Sequence, residues 1–86
     1  MKYTLINRKQ STFAENNIDF VRWMRKSDLQ NFEENSEFME AYSHRKSTFE
    51  NIQLRYNNED DFVEDLQKNN LLEIDSQKRK WNLFKK

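Results

Sequence analysis

Apolar residues between positions 18 and 26 recur at the spacing of one helix face. Ile18, Phe20, Val21, Trp23 and Met24 sweep a broad arc, while Arg22, Arg25 and Lys26 gather opposite it. A second helical stretch runs from Ser36, a suitable N-cap, to about Phe49, with Phe38, Tyr42 and Phe49 as its stripe. A third begins at Asn58, whose side chain can cap the helix while Glu59, Asp60 and Asp61 complement the dipole in the first turn. Phe62, Val63 and Leu66 form its inward stripe. Asn69 and Asn70 end it, supplying the left-handed residue that glycine usually provides.

Elsewhere the period shortens to two. Tyr3 and Leu5 share one side of residues 2–6, which read as an edge strand, and Ile52, Leu54 and Tyr56 alternate with Gln53 and Arg55. Residues 71–75 and 80–84 read as two strands joined through 76–79 into a terminal hairpin. Residues 7–17 are polar and without a period, apart from a capping box offered by Thr12 and Glu15. The pattern predicts one α+β domain over residues 1–86, in the order β-α-α-β-α-β-β, with 7–17 and 85–86 the least ordered parts.

Composition narrows the chemistry. The mean hydropathy of −1.22 is low for a folded chain. Seven Phe, three Tyr and two Trp nevertheless supply enough ring surface for a small core. The chain has no Cys, Gly or Pro and a single His. Disulfides and Cys-containing zinc sites are therefore excluded, as are the glycine-dependent phosphate loops and dinucleotide turns. No apolar run reaches the ~18–20 residues of a membrane span, and no secretory signal is recognised at the start. The expectation is a protein of the cell interior, with no cofactor and no membrane partner.

The net charge of zero hides a block pattern. Residues 1–26 carry six basic and two acidic residues (+4), residues 27–66 three and eleven (−8), and residues 67–86 six and two (+4). With Phe62, Val63 and Leu66 facing inward, Asp60, Asp61, Glu64 and Asp65 are expected on the solvent side of the third helix. Glu33, Glu34, Glu37 and Glu40 add a second acidic cluster at the start of the second. Such a surface suits a basic partner, although solvated faces and dipole complementation account for the same residues. Lys78, Arg79 and Lys80 beside Trp81 suit contact with phosphates and a base, joined by Arg22, Arg25 and Lys26 if the two ends are neighbours. Trp23, at the rim of its arc beside Asp19, is either an exposed aromatic contact or core.

Catalytic readings lack parts. Acid–base chemistry needs carboxylates in unlike environments, whereas these acids read as uniformly solvated. A calcium loop needs a glycine that Asp60, Asp61, Glu64 and Asp65 lack. His44, four residues after Glu40, is placed for helix-surface pairing, and Ser43 and Ser47 have no nucleophile elbow. The chain is not expected to be an enzyme.

Two resemblances follow from these residues. Three helices before a basic-tipped hairpin resemble the winged helix-turn-helix family over residues 18–84, which implies a DNA- or RNA-binding regulator. Its recognition helix would then carry Asp60, Asp61, Glu64 and Asp65, whose charge opposes phosphate. In size, lack of Cys and block charge, with acidic helix starts at Glu33-Glu34-Asn35-Ser36-Glu37 and Glu59-Asp60-Asp61-Phe62-Val63-Glu64-Asp65, the chain also resembles small phage and mobile-element proteins of the anti-CRISPR type. That resemblance implies a non-enzymatic inhibitor whose acidic face meets a basic host protein, such as an RNA-guided nuclease or its guide-RNA complex.

Overall fold

The computed structural model describes residues 1–75. These form strands β1 (Lys2–Leu5) and β2 (Gln10–Phe13), helices α1 (Asn17–Ser27), α2 (Asn35–Glu50) and α3 (Glu59–Lys68), and strand β3 (Leu72–Asp75). The class is α+β and the observed order is β-β-α-α-α-β. The sequence-predicted hairpin through 76–84, with its second strand, lies outside the described residues, as do 85–86.

The sheet is antiparallel with strand order β2-β1-β3. The segment expected at an edge is therefore the central strand, because residues 10–13, which showed no period, pair along its other side. Such a strand is invisible to periodicity. It buries almost nothing, with Phe13 66 % exposed, and is held by its backbone ladder. The turn that returns it has Lys9 left-handed at φ 56°, its N–H donating to the Leu5 carbonyl at 2.8 Å. On the core face Tyr3 lies opposite Ile74 and Leu5 opposite Leu72, so one side of β1 and β3 is apolar throughout.

The helices cover that face. Phe20, Val21 and Met24 of α1, Phe38, Met39 and Tyr42 of α2, and Phe62, Val63 and Leu66 of α3 join Tyr3, Leu5, Leu54, Leu71 and Leu72 in one core. Tyr3 stacks on Phe20 at 4.4 Å, and Phe38, Tyr42 and Phe62 meet pairwise at 5.6–6.4 Å. Fully burying one such ring contributes about 1.5–3 kcal/mol. The alternation at 52–56 is real as burial, since Leu54 enters the core. It is not a strand: among the described residues no strand lies beside it, and the Arg55 N–H donates to the Asp65 carboxylate at 2.8 Å.

The helix ends differ from expectation in two places. The N-cap of α1 is Asn16, accepting from the Asp19 N–H at 2.8 Å, rather than Thr12, which belongs to β2. The cap of α2 is Glu34 rather than Ser36, and the Glu37 carboxylate reaches back to the N–H groups of Glu33 and Glu34. Asn58 caps α3 as predicted, its side chain accepting from the Asp61 N–H at 2.7 Å. Asn70 ends it at φ 61°, with Leu71 N–H on the Leu66 carbonyl and Asn70 N–H on that of Gln67, a Schellman closure. Burial along α2 stops at Lys46, so Phe49, expected in the stripe, projects 80 % exposed. No helix among the described residues is long and apolar enough to cross a membrane.

Candidate functional site

The four carboxylates expected on the solvent side of α3 take different positions. Asp65 is 8 % exposed and accepts three hydrogen bonds from Arg55: the backbone N–H at 2.8 Å, Nε at 3.0 Å and Nη2 at 2.9 Å. Glu64 receives the same Nη2 at 3.0 Å and lies 3.8 Å from the Lys68 ammonium. Asp61 lies 3.5 Å from Nη1 of Arg55 and accepts from the side chains of Asn57 and Asn58. Arg55 therefore sits among three acids. Its side-chain bonds to Asp65 and Glu64 raise the guanidinium's affinity for its proton, and the Arg55 bonds hold the Asp65 carboxyl below the usual carboxylate range. This flank is a clasp between the 52–56 segment and α3 in which three carboxylates meet two cations, and Asp65 is buried in it rather than on the solvent side. Its partner is ten residues away across a chain reversal, a separation no local pattern reports.

Asp60 belongs to a different group. It accepts from Nδ2 of Asn17, whose Oδ1 accepts from the Tyr3 hydroxyl, each at 2.9 Å. Beside it, Asn35 at the start of α2 donates through Nδ2 to Glu59 at 3.0 Å and accepts from Nε of Arg25 at 2.9 Å. These side chains hold the starts of α2 and α3 side by side. The sequence clusters Glu33, Glu34, Glu37, Glu40 and Glu59, Asp60 thereby share one end of the molecule. Glu33, Glu34, Glu37, Glu40 and Asp60 are exposed, and Glu59 half-buried. Arg25 lies within that end, donating to the Phe32 and Glu33 carbonyls.

Beside these acids an open cleft of about 450 Å3 is lined by Asn31, Phe32, Glu37, Glu40, Ala41 and His44. Phe32, among its lining residues, packs edge-on against Phe38 at 5.8 Å. His44 meets the half-exposed Tyr56 edge-on at 5.8 Å instead of pairing with Glu40. The cleft thus combines carboxylates with aromatic rings, a lining suited to a lysine or arginine side chain that carries both charge and an apolar stem.

The remaining candidates are dispersed. Trp23 packs on Phe20 at 5.9 Å and is half-buried against the core, so it is not the exposed contact that was one of its two readings. Arg22 pairs with Asp19 at 3.0 Å, and Lys26 is exposed. Lys78, Arg79, Lys80 and Trp81 lie outside the described residues. Among the described residues no three His, Asp or Glu side chains converge as a metal site. Comparison with protein-family models, with curated proteins and with solved structures gives no significant match for this chain.

Proposed function

We propose that this chain is a non-enzymatic interaction protein that docks its acidic end, Glu33, Glu34, Glu37, Glu40, Glu59 and Asp60, onto a basic protein that handles nucleic acid inside a host cell. The reading is that of an inhibitor of the anti-CRISPR type, directed at an RNA-guided nuclease. The observation that carries it is the Asn35–Glu59 hydrogen bond of 3.0 Å between residues 24 apart in sequence, which sets two acidic clusters on one surface. A docked carboxylate array competes for the cations that otherwise hold phosphates, and its attraction weakens with salt. The aromatic cleft next to it gives the array a place for a basic side chain to enter. Asp61, Glu64 and Asp65 contribute little to this attraction, since Arg55 and Lys68 already face them.

The test is binding of the purified chain to an RNA-guided nuclease, with and without guide RNA, by biolayer interferometry. Glu33, Glu34 and Glu40 changed together to Lys should weaken capture by at least about tenfold, with a salt slope to match. Circular dichroism verifies that the variant folds. Unchanged capture by this variant refutes the reading. So does retention of free duplex DNA that is lost when Lys78, Arg79 and Lys80 become Glu, the result expected of a DNA-binding hairpin.

A further inference from the structure

The outer edge of β2 carries backbone groups without a partner among the described residues. Met1 and Ala14 exchange both of their backbone bonds, the Met1 amino group donating to the Ala14 carbonyl at 3.1 Å and the Ala14 N–H to the Met1 carbonyl at 3.0 Å. Bonded and non-bonded pairs alternate along an antiparallel ladder. With Tyr3 opposite Thr12 and Leu5 opposite Gln10, Thr12 and Gln10 turn their N–H and C=O groups toward β1. Ser11 and Phe13 therefore turn theirs away from it. Among the described residues nothing bonds to those groups, and β2 is the last strand on its side of the sheet.

The strand lacks the usual protection of such an edge. Gln10, Ser11, Thr12 and Phe13 carry no charge, and the chain has no proline to interrupt a ladder. Phe13 and Ser11 share the face turned away from Tyr3 and the core, and the Phe13 ring is 66 % exposed. The charges lie at the two ends instead. Lys9 precedes the strand and Glu15 follows it, both exposed and neither in an ion pair among the described residues.

This edge is complementary to itself. In an antiparallel pair of two copies the basic end of one β2 lies against the acidic end of the other, whereas a parallel pair sets like charges together. Only residues whose backbone groups point outward can bond across the pair, so its register shifts in steps of two. With Thr12 opposite Thr12 of the second copy, Ser11 of each chain bonds to Phe13 of the other, and Lys9 of each meets Glu15 of the other. One step in either direction leaves Lys9 and Glu15 opposite uncharged residues. In the matched register the two Phe13 residues are diagonal neighbours on one face, at the separation of about 7–8 Å that aromatic side chains span.

We propose that this chain self-associates through β2, two copies joining their three-stranded sheets into one antiparallel sheet about a two-fold axis at Thr12. Pairing consumes the β2 edge of both copies, so the association closes at two. The contact uses none of the residues of the acidic end, and the two readings stand or fall separately. Its small area puts it in the weak, transient class, half-complete at about 0.1 mM chain.

Sedimentation equilibrium of the full chain between about 10 µM and 1 mM, at low salt, reads the mass, and two-dimensional amide NMR reads the surface. The mass should rise from one chain toward two, and dilution should shift the amides of residues 10–14. Ser11→Pro removes an N–H that points away from β1 and spares the ladder within each chain; it should weaken association at least about tenfold. Glu15→Lys sets Lys9 against a second cation and should weaken association about threefold to tenfold. Adding Lys9→Glu to that variant restores opposite charges and should bring association back. Circular dichroism checks that each variant folds. The proposal is overturned by a chain that remains a single copy at about 1 mM, including one whose β2 edge captures an extended peptide of another protein instead. It is overturned equally by a dimer that Ser11→Pro leaves unchanged, or by a double variant that associates no more tightly than Glu15→Lys.

Discussion

Asp65→Ala removes the acceptor that fastens the 52–56 segment to α3. In the native chain this carboxylate is 8 % exposed and takes the Arg55 backbone N–H at 2.8 Å together with two guanidinium N–H groups at 2.9 and 3.0 Å. Hydrogen bonds to a charged group contribute about 1.5–3 kcal/mol. The guanidinium side is 48 % exposed, so water replaces much of what those two bonds supply. The backbone bond and the positioning of Leu54, 7 % exposed, bear most of the loss. The expected destabilisation is about 2–3 kcal/mol, which in a domain of this size lowers Tm by roughly 8–24 °C. Asp65→Asn keeps an acceptor for the backbone N–H and should lose about half as much. Urea denaturation followed by circular dichroism reads both. The effect depends on pH. The Arg55 hydrogen bonds hold the folded-state pKa of Asp65 below its unfolded value, so its stabilisation is present above the ordinary carboxylate range and is lost as the pH falls through the depressed folded value. The gap between native chain and variant should therefore be constant from about pH 7 to 5 and close below about pH 4. A loss below about 0.5 kcal/mol, or a gap that widens on acidification, refutes this account of the clasp.

Two further substitutions probe α2 and the end of α3. Ser43 is 3 % exposed and its Oγ is the buried side-chain polar atom without a partner among the described residues; Ser43→Ala should stabilise by about 0.5–1 kcal/mol in thermal melts, and any loss contradicts the reading of an unmet hydroxyl. Asn70 stands at φ 61° in the Schellman closure; Asn70→Gly should be neutral or slightly stabilising, whereas Asn70→Val should lose about 1–2 kcal/mol, and equal melting of the two would show that the left-handed turn is not retained.

Much of the fold was legible in local pattern. The stripe Phe62, Val63, Leu66, the cap at Asn58 and the left-handed Asn70 each depend on residues within one turn of each other, and each stands where the spacing put it. Tyr3 and Leu5 likewise face inward as their alternation required. The strand at 10–13 was hidden because its backbone bonds, and not an apolar face, hold it. Residues 52–56 show the converse, an alternation that buries Leu54 with no neighbouring strand among the described residues to make a ladder. For the candidate site, residue type and charge were readable at Glu33, Glu34, Glu37 and Asp60. That Asp65 is spent on Arg55 was not, and neither was the outer edge of β2.

The sequence by itself determined the class of the protein. Twelve aromatic rings in a charged chain without Gly, Pro or Cys give a small α+β core, asparagines at its helix ends and acids at the starts of its helices. These follow from helical and strand periods and from capping, which act over a few residues. Tertiary structure decided which surfaces those residues share. It made residues 2–5 the central strand, left Phe49 outside the core, buried Asp65 and joined the acids of α2 and α3 through Asn35 and Glu59. The physical reason is that hydrogen-bond ladders, ion pairs and the field of several charges depend on distances across the fold, whereas a period along the chain says only which side a residue faces.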